Sequence, residues 1–198
     1  MSAASQAKRI AGDGVGIVAF ERGTYSSYSA CGIPCWVAGD VSGPERLIAR
    51  SPEAHRRNGI DLRMRTVVEQ IDLAAGRVTA RDLAAGRSYR EGFDSLVIAT
   101  GAVPVRPPLP GADADGVFGV QTLDDGAALL ADLDHSQPRR AVVIGGGYIG
   151  VEMAEALVRH GVAVTVVDQA DQPMTTLDPD MGAAVHRAVD IAPGLGSY

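Results

Sequence analysis

The amino-acid sequence predicts an α/β fold in which helices cover parallel sheets in three-layer units. Three observations support this prediction. An apolar segment at 140–144 is followed by a glycine-rich turn, a helical run and a second apolar segment at 162–168. A shorter apolar segment at 17–20 ends in an acidic residue, as a strand of a second such unit would. Alternating apolar and polar residues over 62–90 predict an antiparallel meander between these two regions.

The first half of the chain also contains signals for helices. Residues 2–10 are predicted to be helical, with Ser2 as the N-cap, and 17–20 to form a buried strand. Ser51 stands directly before a proline, which is a favourable helix start and predicts a helix over 51–58.

The meander is interrupted at 74–76 and at 84–86, which predicts three antiparallel strands. After it, the apolar run within 93–100 is predicted to return to the parallel sheet as a buried strand. The next segment, 103–111, holds four prolines and predicts a stiff connector. We therefore expect a domain boundary close to residue 110.

The second half of the chain begins with two acidic residues, Asp124 and Asp125, which are predicted to cap a helix that runs through Leu133. A later helix is predicted to open at 177–181 and to fade at Ile191. The residues after it show no periodic pattern. The predicted domains are 1–110 and 111–198.

The glycine-rich turn has the pattern G-x-G-x-x-G between a strand and a helix, which is strong evidence for a dinucleotide site. Gly145 permits the tight turn, Gly147 lets the backbone approach a pyrophosphate, and Gly150 allows the helix to pack closely on the strand. Asp168 is placed to bind the adenosine ribose, and it is followed by Gln169 rather than an arginine, which favours NADH over NADPH. The alternative is a glycine-rich turn without a ligand.

The composition limits the kinds of protein that this chain can be. With 46% hydrophobic and 21% charged residues, it is typical of a globular protein. The net charge of −6 and the aromatic content of 5% argue against a nucleic-acid partner. No apolar run is long enough to span a membrane, no signal peptide is evident, and no metal site is predicted. Two cysteines fit a reduced cytoplasmic location.

The two cysteines lie in the turn-rich segment 24–39, which we name the cysteine loop. Cys31 stands shortly before a predicted helix start, where a thiolate is favoured and can act as a nucleophile. The alternative is that Cys31 and Cys35 are structural residues, since free cysteine is often a small core residue.

Five segments of the chain form a recognisable combination: 3–9 (AASQAKR), 21–23 (ERG), 29–34 (SACGIP), 99–101 (ATG) and 145–150 (GGGYIG). With this combination the sequence resembles the pyridine nucleotide-disulfide oxidoreductases. Within them it is most similar to the single-cysteine branch of coenzyme A-disulfide reductases, NADH oxidases and NADH peroxidases. The resemblance extends from residue 1 to about 187.

The resemblance implies a flavoprotein with two Rossmann-like domains, the first for FAD and the second for NAD(P). NADH, or NADPH, would pass a hydride to FAD, and the electrons would then reach the catalytic Cys31. In reductases that cysteine would hold a mixed disulfide with coenzyme A. In oxidases and peroxidases, which act on oxygen or peroxide, it would cycle through a sulfenic acid.

The resemblance also implies roles for other residues. Contacts to coenzyme A are implied for Ser2, Gln6, Arg9 and Ser27, the arginine having the clearest chemistry because a guanidinium can bind phosphate as a fork. Each of these could instead be a solvated polar residue. Contacts to the cofactors are implied for Glu21, Arg22, Thr100, Gly101, Gly145, Gly146, Gly147, Tyr148, Ile149, Gly150 and Asp168.

Several features depart from the family pattern. Position 35 is usually tyrosine in this branch, and Ala30 stands where some reductases have asparagine. Cys35 could resolve a mixed disulfide, although we expect it to be a bystander that packs beside Trp36. Family members have a strand and a glycine loop before residues like 1–4 and continue beyond residue 198, so we expect both domains to be incomplete and FAD to bind weakly.

Three functions therefore remain open. The first is an FAD-dependent NAD(P)H:disulfide oxidoreductase of the coenzyme A-disulfide reductase type, with polysulfide as another possible acceptor. The second is an NADH oxidase or peroxidase. The third is a non-catalytic remnant or partial NAD-binding module. In the family a second subunit completes the active site, so the resemblance implies that full-length relatives are homodimers.

Overall fold

The computed structural model describes residues 1–191 and 194–196, and the chain divides into two compact units. The first unit comprises residues 1–29 and 48–106, and the second comprises residues 30–47 and 107–198. The assignment of domains 1–110 and 111–198 to FAD and NAD(P) stays a prediction.

The described residues form six α-helices and eight strands. The helices are α1 (Ser2–Ala11), α2 (Ile33–Val37), α3 (Pro52–Arg57), α4 (Leu123–Ser136), α5 (Tyr148–Arg159) and α6 (Pro179–Ile191). The strands are β1 (Ile17–Phe20), β2 (Ile60–Arg63), β3 (Thr66–Asp72), β4 (Arg77–Asp82), β5 (Arg87–Gly92), β6 (Arg140–Ile144), β7 (Ala163–Val167) and β8 (Leu195–Gly196).

In the first unit, β1 and β2 form a parallel pair with Ile17 opposite Ile60. Ile60 and Leu62 are fully buried, so β2 contributes more to the core than β1. The prediction that 17–20 is a buried strand is wrong in part: the strand forms, but none of its four residues is buried, and Val18 is 37% exposed. Among the described strands β1 has one neighbour, β2, so it lies in a two-stranded sheet that covers its residues only partly.

The predicted meander is present as the antiparallel sheet β3–β4–β5. It begins at Thr66 rather than at Leu62, because Leu62 belongs to β2 and its parallel pair. Arg63 connects β2 with the meander, since its guanidinium donates hydrogen bonds to Asp61 and Glu91. Alternation alone predicted the three strands but could not distinguish the preceding parallel strand from them.

The predicted strand within 93–100 is wrong, since these residues have no regular structure. Leu96, Val97 and Ile98 are exposed, Val97 to 69%. A strand requires a neighbour that satisfies its backbone hydrogen bonds, and among the described residues no strand pairs with this segment. Its apolar residues indicated a strand, but a local pattern does not show whether another strand lies beside it.

The second unit contains a parallel sheet of order β6–β7–β8, with α5 connecting β6 to β7 as in a βαβ unit. One face of this sheet is covered: Val164 and Val166 of β7 are buried, as are Met153 and Leu157 of α5. On the other face Val142 is 63% exposed.

Helix α4 confirms the predicted helix but not its cap. Thr122, rather than Asp124 or Asp125, is the N-cap: its side chain accepts a hydrogen bond from the Asp125 N–H, and the Asp125 carboxylate accepts one from the Thr122 N–H. This reciprocal pair is a capping box. The helix continues to Ser136, three residues beyond the predicted end.

Helix α6 confirms the prediction of a helix that ends at Ile191. The sequence pattern predicts no regular structure after it, yet Leu195 and Gly196 form β8 beside β7. Residues 192, 193, 197 and 198 lie outside the described residues. Within the described part of the chain, no helix is long and apolar enough to cross a membrane.

Candidate dinucleotide site and cysteine loop

The glycine loop follows β6 and leads directly into α5. Gly145 has a φ of +105°, a conformation that other residues rarely adopt, and its N–H donates a hydrogen bond of 2.8 Å to the Val167 carbonyl at the end of β7. The turn predicted at Gly145 is therefore present. It directs the chain from the end of one parallel strand into the helix.

The other two glycines of the motif are placed differently. A Cβ added at Gly150 would lie 1.8 Å from the Gly145 carbonyl oxygen, so only glycine fits where α5 meets the loop. A Cβ added at Gly147 would meet nothing within 4 Å, and Gly147 has a φ of −69°. Folding therefore requires glycine at 150, whereas at 147 the absence of a side chain leaves open space beside the backbone.

The first turn of α5 provides backbone N–H groups next to the glycine loop. Its first hydrogen bond within the helix joins the Val151 N–H to the Gly147 carbonyl at 3.0 Å. The N–H groups of Tyr148, Ile149 and Gly150 precede it and have no acceptor within a helix. The Tyr148 and Ile149 side chains are exposed. These donors, together with the helix dipole, make a site suited to a phosphate.

Asp168 lies at the end of β7 and its carboxylate reaches the glycine loop. One oxygen accepts a hydrogen bond from the Gly146 N–H at 2.5 Å, and the other accepts one from the Ala170 N–H at 2.9 Å. These bonds hold the pKa of Asp168 below its ordinary value, because they stabilise the charged carboxylate. The sequence predicted a ribose ligand at this position and missed the bond to the loop.

Met174 provides a second support for the loop that the sequence analysis missed. It has a φ of +53°, and its N–H donates a hydrogen bond of 2.8 Å to the Gly146 carbonyl. Gly146 is itself buried. Both polar groups of its backbone are thus held by the segment after β7, and no sequence pattern indicated this contact.

In the first unit, Glu21 follows β1 directly. Its backbone N–H donates to the Arg63 carbonyl, and one carboxylate oxygen accepts a hydrogen bond of 2.7 Å from the Gly23 N–H. The carboxylate therefore shapes the turn after the strand. Arg22 beside it is exposed.

Thr100 and Gly101 were both predicted to lie near a cofactor at the end of a strand. Both are exposed and lie in the irregular segment after the meander, and Gly101 has a φ of +71°. Their predicted strand is absent, so the structure does not bring them to a sheet edge.

Helix α1 presents three of the predicted substrate contacts together. Ser2, Gln6 and Arg9 are all exposed, and their spacing of four and three residues places them on one face of the helix. The predicted capping role of Ser2 is wrong: Met1 is the N-cap, and no side chain caps this helix.

Ser27 is the fourth predicted substrate contact, and the structure gives it a partner that the sequence analysis missed. Its hydroxyl lies 2.9 Å from Nε2 of His55, which is 2% exposed. Burial, with a smaller effect of the Arg50 charge, lowers the pKa of His55. Ser27 has a φ of +48°, and its carbonyl accepts hydrogen bonds from the Ala49 and Arg50 N–H groups.

Arg50 also connects Ser27 with α1. Its guanidinium lies 3.5 Å from the Ser5 hydroxyl, while its backbone N–H donates to the Ser27 carbonyl at 3.2 Å. A second exposed arginine thus lies near the helix that bears Arg9. The sequence signal for Arg50 was only its charge, which is not specific.

The cysteine loop places both thiols at the surface. Cys31 lies in a 3₁₀-helix formed by Ala30–Gly32, immediately before α2, and Cys35 lies within α2. Both are free and exposed. Cys35 is exposed, whereas Trp36 is one of the buried residues of α2, so the packing predicted beside Trp36 does not bury this thiol. The expected role of Cys35 as a bystander stays a prediction.

The fold and this site define a class: an α/β protein with a Rossmann-like dinucleotide-binding unit. A model of the pyridine nucleotide-disulphide oxidoreductase family matches residues 1–192. The chain belongs to that family.

Named relatives agree with this assignment. The chain is 36% identical to an NADH oxidase of Methanocaldococcus jannaschii over 166 residues, covering 83% of this chain and 37% of the relative. It is 36% identical to an NAD(P)H coenzyme A polysulfide/persulfide reductase of Pyrococcus horikoshii, covering 87% of this chain and 38% of the relative. The chain thus spans less than two fifths of the length of these relatives.

A solved structure is similar as well. The water-forming NADH oxidase from Lactobacillus brevis, bound to NADH, superposes with a TM-score of 0.90 at 29% identity. That match covers 99% of this chain and 43% of the oxidase.

Proposed function

We propose that this chain is part of an FAD-dependent NAD(P)H:disulfide oxidoreductase of the coenzyme A-disulfide reductase type. The observation that supports it most is the glycine loop, where folding requires glycine at 150 but leaves open space at Gly147. The exposed thiol of Cys31 supports the disulfide chemistry. The relative from Pyrococcus horikoshii is named as a coenzyme A polysulfide/persulfide reductase.

For the nicotinamide cofactor, the N–H groups of Tyr148, Ile149 and Gly150 would bind the pyrophosphate, which would approach the backbone at Gly147. Asp168 would accept hydrogen bonds from the adenosine ribose. Each carboxylate oxygen can accept more than one hydrogen bond, so its bonds to the loop do not prevent this. The same negative charge would repel the additional phosphate of NADPH, which favours NADH.

FAD, when bound, supplies the chemistry that takes a hydride from NADH and returns two electrons to sulfur. Glu21 would accept hydrogen bonds from its ribose, with Arg22 beside it. The Cys31 thiolate would attack a substrate disulfide, forming a mixed disulfide and releasing one substrate thiolate, which takes a proton from water. Two electrons and a proton would then release the second thiol and restore the Cys31 thiolate.

In this proposal Ser2, Gln6, Arg9 and Ser27 would contact coenzyme A. The support is that three of them share an exposed face of α1 and that the fourth is held in a fixed position by His55. The arginine would bind a phosphate of the ligand.

A second candidate is an NADH oxidase or peroxidase, which the name of the Methanocaldococcus jannaschii relative favours. The Cys31 thiolate would attack peroxide and become a sulfenic acid, with hydroxide as the leaving group. Two electrons and two protons would then return the sulfenic acid to the thiol and release water.

The first test is the binding of NADH to the chain, followed by nicotinamide fluorescence, because this site lies within one unit. We expect saturable binding that Asp168→Ala weakens about tenfold, or by about 1.4 kcal/mol. No saturation by NADH or NADPH would overturn the proposal.

The second test adds FAD and compares coenzyme A disulfide, oxygen and peroxide as acceptors of electrons from NADH. Faster turnover with peroxide or oxygen would favour the second candidate.

A further inference from the structure

Cys31 and Cys35 lie on the same exposed side of one short helical segment. The 3₁₀-helix Ala30–Gly32 continues directly into α2, and Gly32 between them has helical angles, φ −85° and ψ −7°. Both cysteines are free and exposed. Their separation of four residues is about one helical turn.

The buried side of the segment explains this arrangement. At about 100° per residue, Cys31 and Cys35 differ by about 40° around the axis, whereas Ile33 and Val37 lie nearly opposite to them. Ile33 and Val37 are both buried. Trp36 is buried as well and packs with Ile33 against Gly126 of α4. The packing therefore fixes the rotation of the segment with both thiols outward.

The distance between the two positions suits a disulfide after a small adjustment. Residues one turn apart have Cβ atoms about 5–6 Å from each other, and a disulfide needs about 4 Å. Helix α2 has only five residues and is followed by Gly39 with a φ of +86°. Joining the sulfurs therefore requires a local change of this short segment.

The surroundings of Cys35 are ordered and include a cation. Its carbonyl accepts hydrogen bonds from the Asp40 and Val41 N–H groups at 2.9 and 3.2 Å. Arg159 is ion-paired with Asp40 at 2.5 Å. Its hydrogen bond to Asp40 raises the pKa of Arg159. A guanidinium therefore lies close to the segment that bears Cys35.

We propose that Cys35 is a second redox thiol that resolves a mixed disulfide on Cys31. The Cys35 thiolate attacks the Cys31 sulfur, the bond from Cys31 to the substrate thiol breaks, and that thiol leaves with the electron pair. One substrate disulfide is reduced to two thiols, and the two cysteines are oxidised to one disulfide. This inference rests on the proposed role of Cys31 and adds a step that the single-cysteine mechanism lacks.

The test uses the reduced chain and one molar equivalent of dithiodipyridine, whose leaving thiol is coloured. We expect the chain to release about two coloured thiols, to lose two hydrogens in mass and to keep no adduct, as two successive steps of thiol–disulfide exchange require. The second release should follow first-order kinetics that do not depend on protein concentration. Peptide mapping should place the new disulfide between residues 31 and 35.

Two variants serve as controls. Cys35→Ser should release about one thiol and keep one adduct on Cys31. Cys35→Ser combined with Ala38→Cys retains two thiols but places them about two turns apart, roughly 10 Å, which is too far for a disulfide. This double variant should therefore also keep adducts. All three positions are at least partly exposed, so the fold should persist, and circular dichroism would check it.

The results separate this inference from the proposed function. If the unaltered chain keeps an adduct on Cys31, or forms disulfides between chains, the role of Cys35 is overturned while a reactive Cys31 remains. If Cys31 forms no adduct in the Cys35→Ser variant, the reactive role of Cys31 fails too, and the second step fails with it.

Discussion

The Asp168 carboxylate accepts a hydrogen bond from the backbone N–H of Gly146, 22 positions earlier in the sequence, at 2.5 Å. This bond joins the end of β7 to the glycine loop that follows β6. The same carboxylate is the residue proposed to bind ribose. One side chain thus shapes the loop and leaves a negative charge beside it, so stability and cofactor choice should both depend on Asp168.

The first prediction concerns acid stability. The pKa of Asp168 is lowered in the folded chain, so its stabilising effect is present above the unfolded value of about 4 and is lost as the pH falls through the lowered pKa. We expect Asp168→Asn to reduce the free energy of unfolding by about 1 kcal/mol at pH 7. The difference from the unaltered chain should shrink steadily between about pH 5 and pH 2.

Urea unfolding at several pH values would measure this difference. Asp171→Asn is a matched control, because it removes the same charge from an exposed residue nearby. It should change stability by less than about 0.5 kcal/mol. An Asp168→Asn difference that stays constant from pH 7 to pH 2 would contradict the ionic origin of the effect.

The glycine loop illustrates how much of the site local sequence could predict. Its strand, turn and helix follow from an apolar run, a glycine and an amphipathic run, all of which are contiguous. The Thr122–Asp125 capping box was also visible in the spacing of a threonine and an acid, although Asp124 and Asp125 were predicted as the caps instead. The support from Met174 was not visible, because a positive φ at methionine is imposed by the surrounding structure.

The second prediction separates the two glycines of the motif. Gly150→Ala would place a Cβ 1.8 Å from a backbone oxygen, so we expect it to destabilise the second unit by more than about 3 kcal/mol. Gly147→Ala meets open space and has an ordinary φ, so stability should change by less than about 1 kcal/mol. NADH affinity should nevertheless fall at least about tenfold, because the added methyl group occupies the path of the pyrophosphate.

Thermal unfolding and NADH titration of the two variants would measure both effects. The informative result is a folded Gly147→Ala protein with weak NADH binding. If that variant bound NADH as well as the unaltered chain, the pyrophosphate could not lie against Gly147, and the proposed placement of the cofactor would be wrong.

The third prediction concerns the choice between NADH and NADPH. The Asp168 charge should disfavour the extra phosphate of NADPH, so NADH should bind more tightly by about tenfold or more. Asp168→Ala should weaken NADH binding and strengthen NADPH binding. Both changes lower the ratio of the NADPH dissociation constant to that of NADH. Asp171→Ala should leave the ratio unchanged. A ratio that is equal in all three proteins would show that Asp168 does not contact the ribose region.

In the first unit, local features could be predicted from the sequence, whereas contacts between distant residues could not. Ser51 and its following proline predicted α3 correctly, because the cap and its target are three residues apart. The apolar segment around Val97 was predicted to be a strand, but strand formation depends on a neighbour that can lie anywhere in a chain, and none of the described strands pairs with it. The contact between Ser27 and His55 spans 28 residues and had no signal beyond two polar residue types.

The last prediction concerns that contact. His55 is buried, so the folded chain resists its protonation while the unfolded chain takes up a proton below about pH 6.5. The free energy of unfolding should therefore fall by about 1 kcal/mol between pH 7.5 and pH 5.5, and His55→Gln should remove this pH dependence.

Ser27→Ala leaves Nε2 of His55 without its hydroxyl partner and should lower the free energy of unfolding by about 1–3 kcal/mol at pH 7.5. Urea unfolding at the two pH values would measure all three proteins, and a Ser27→Ala protein as stable as the parent would mean that the hydroxyl does not stabilise the buried imidazole.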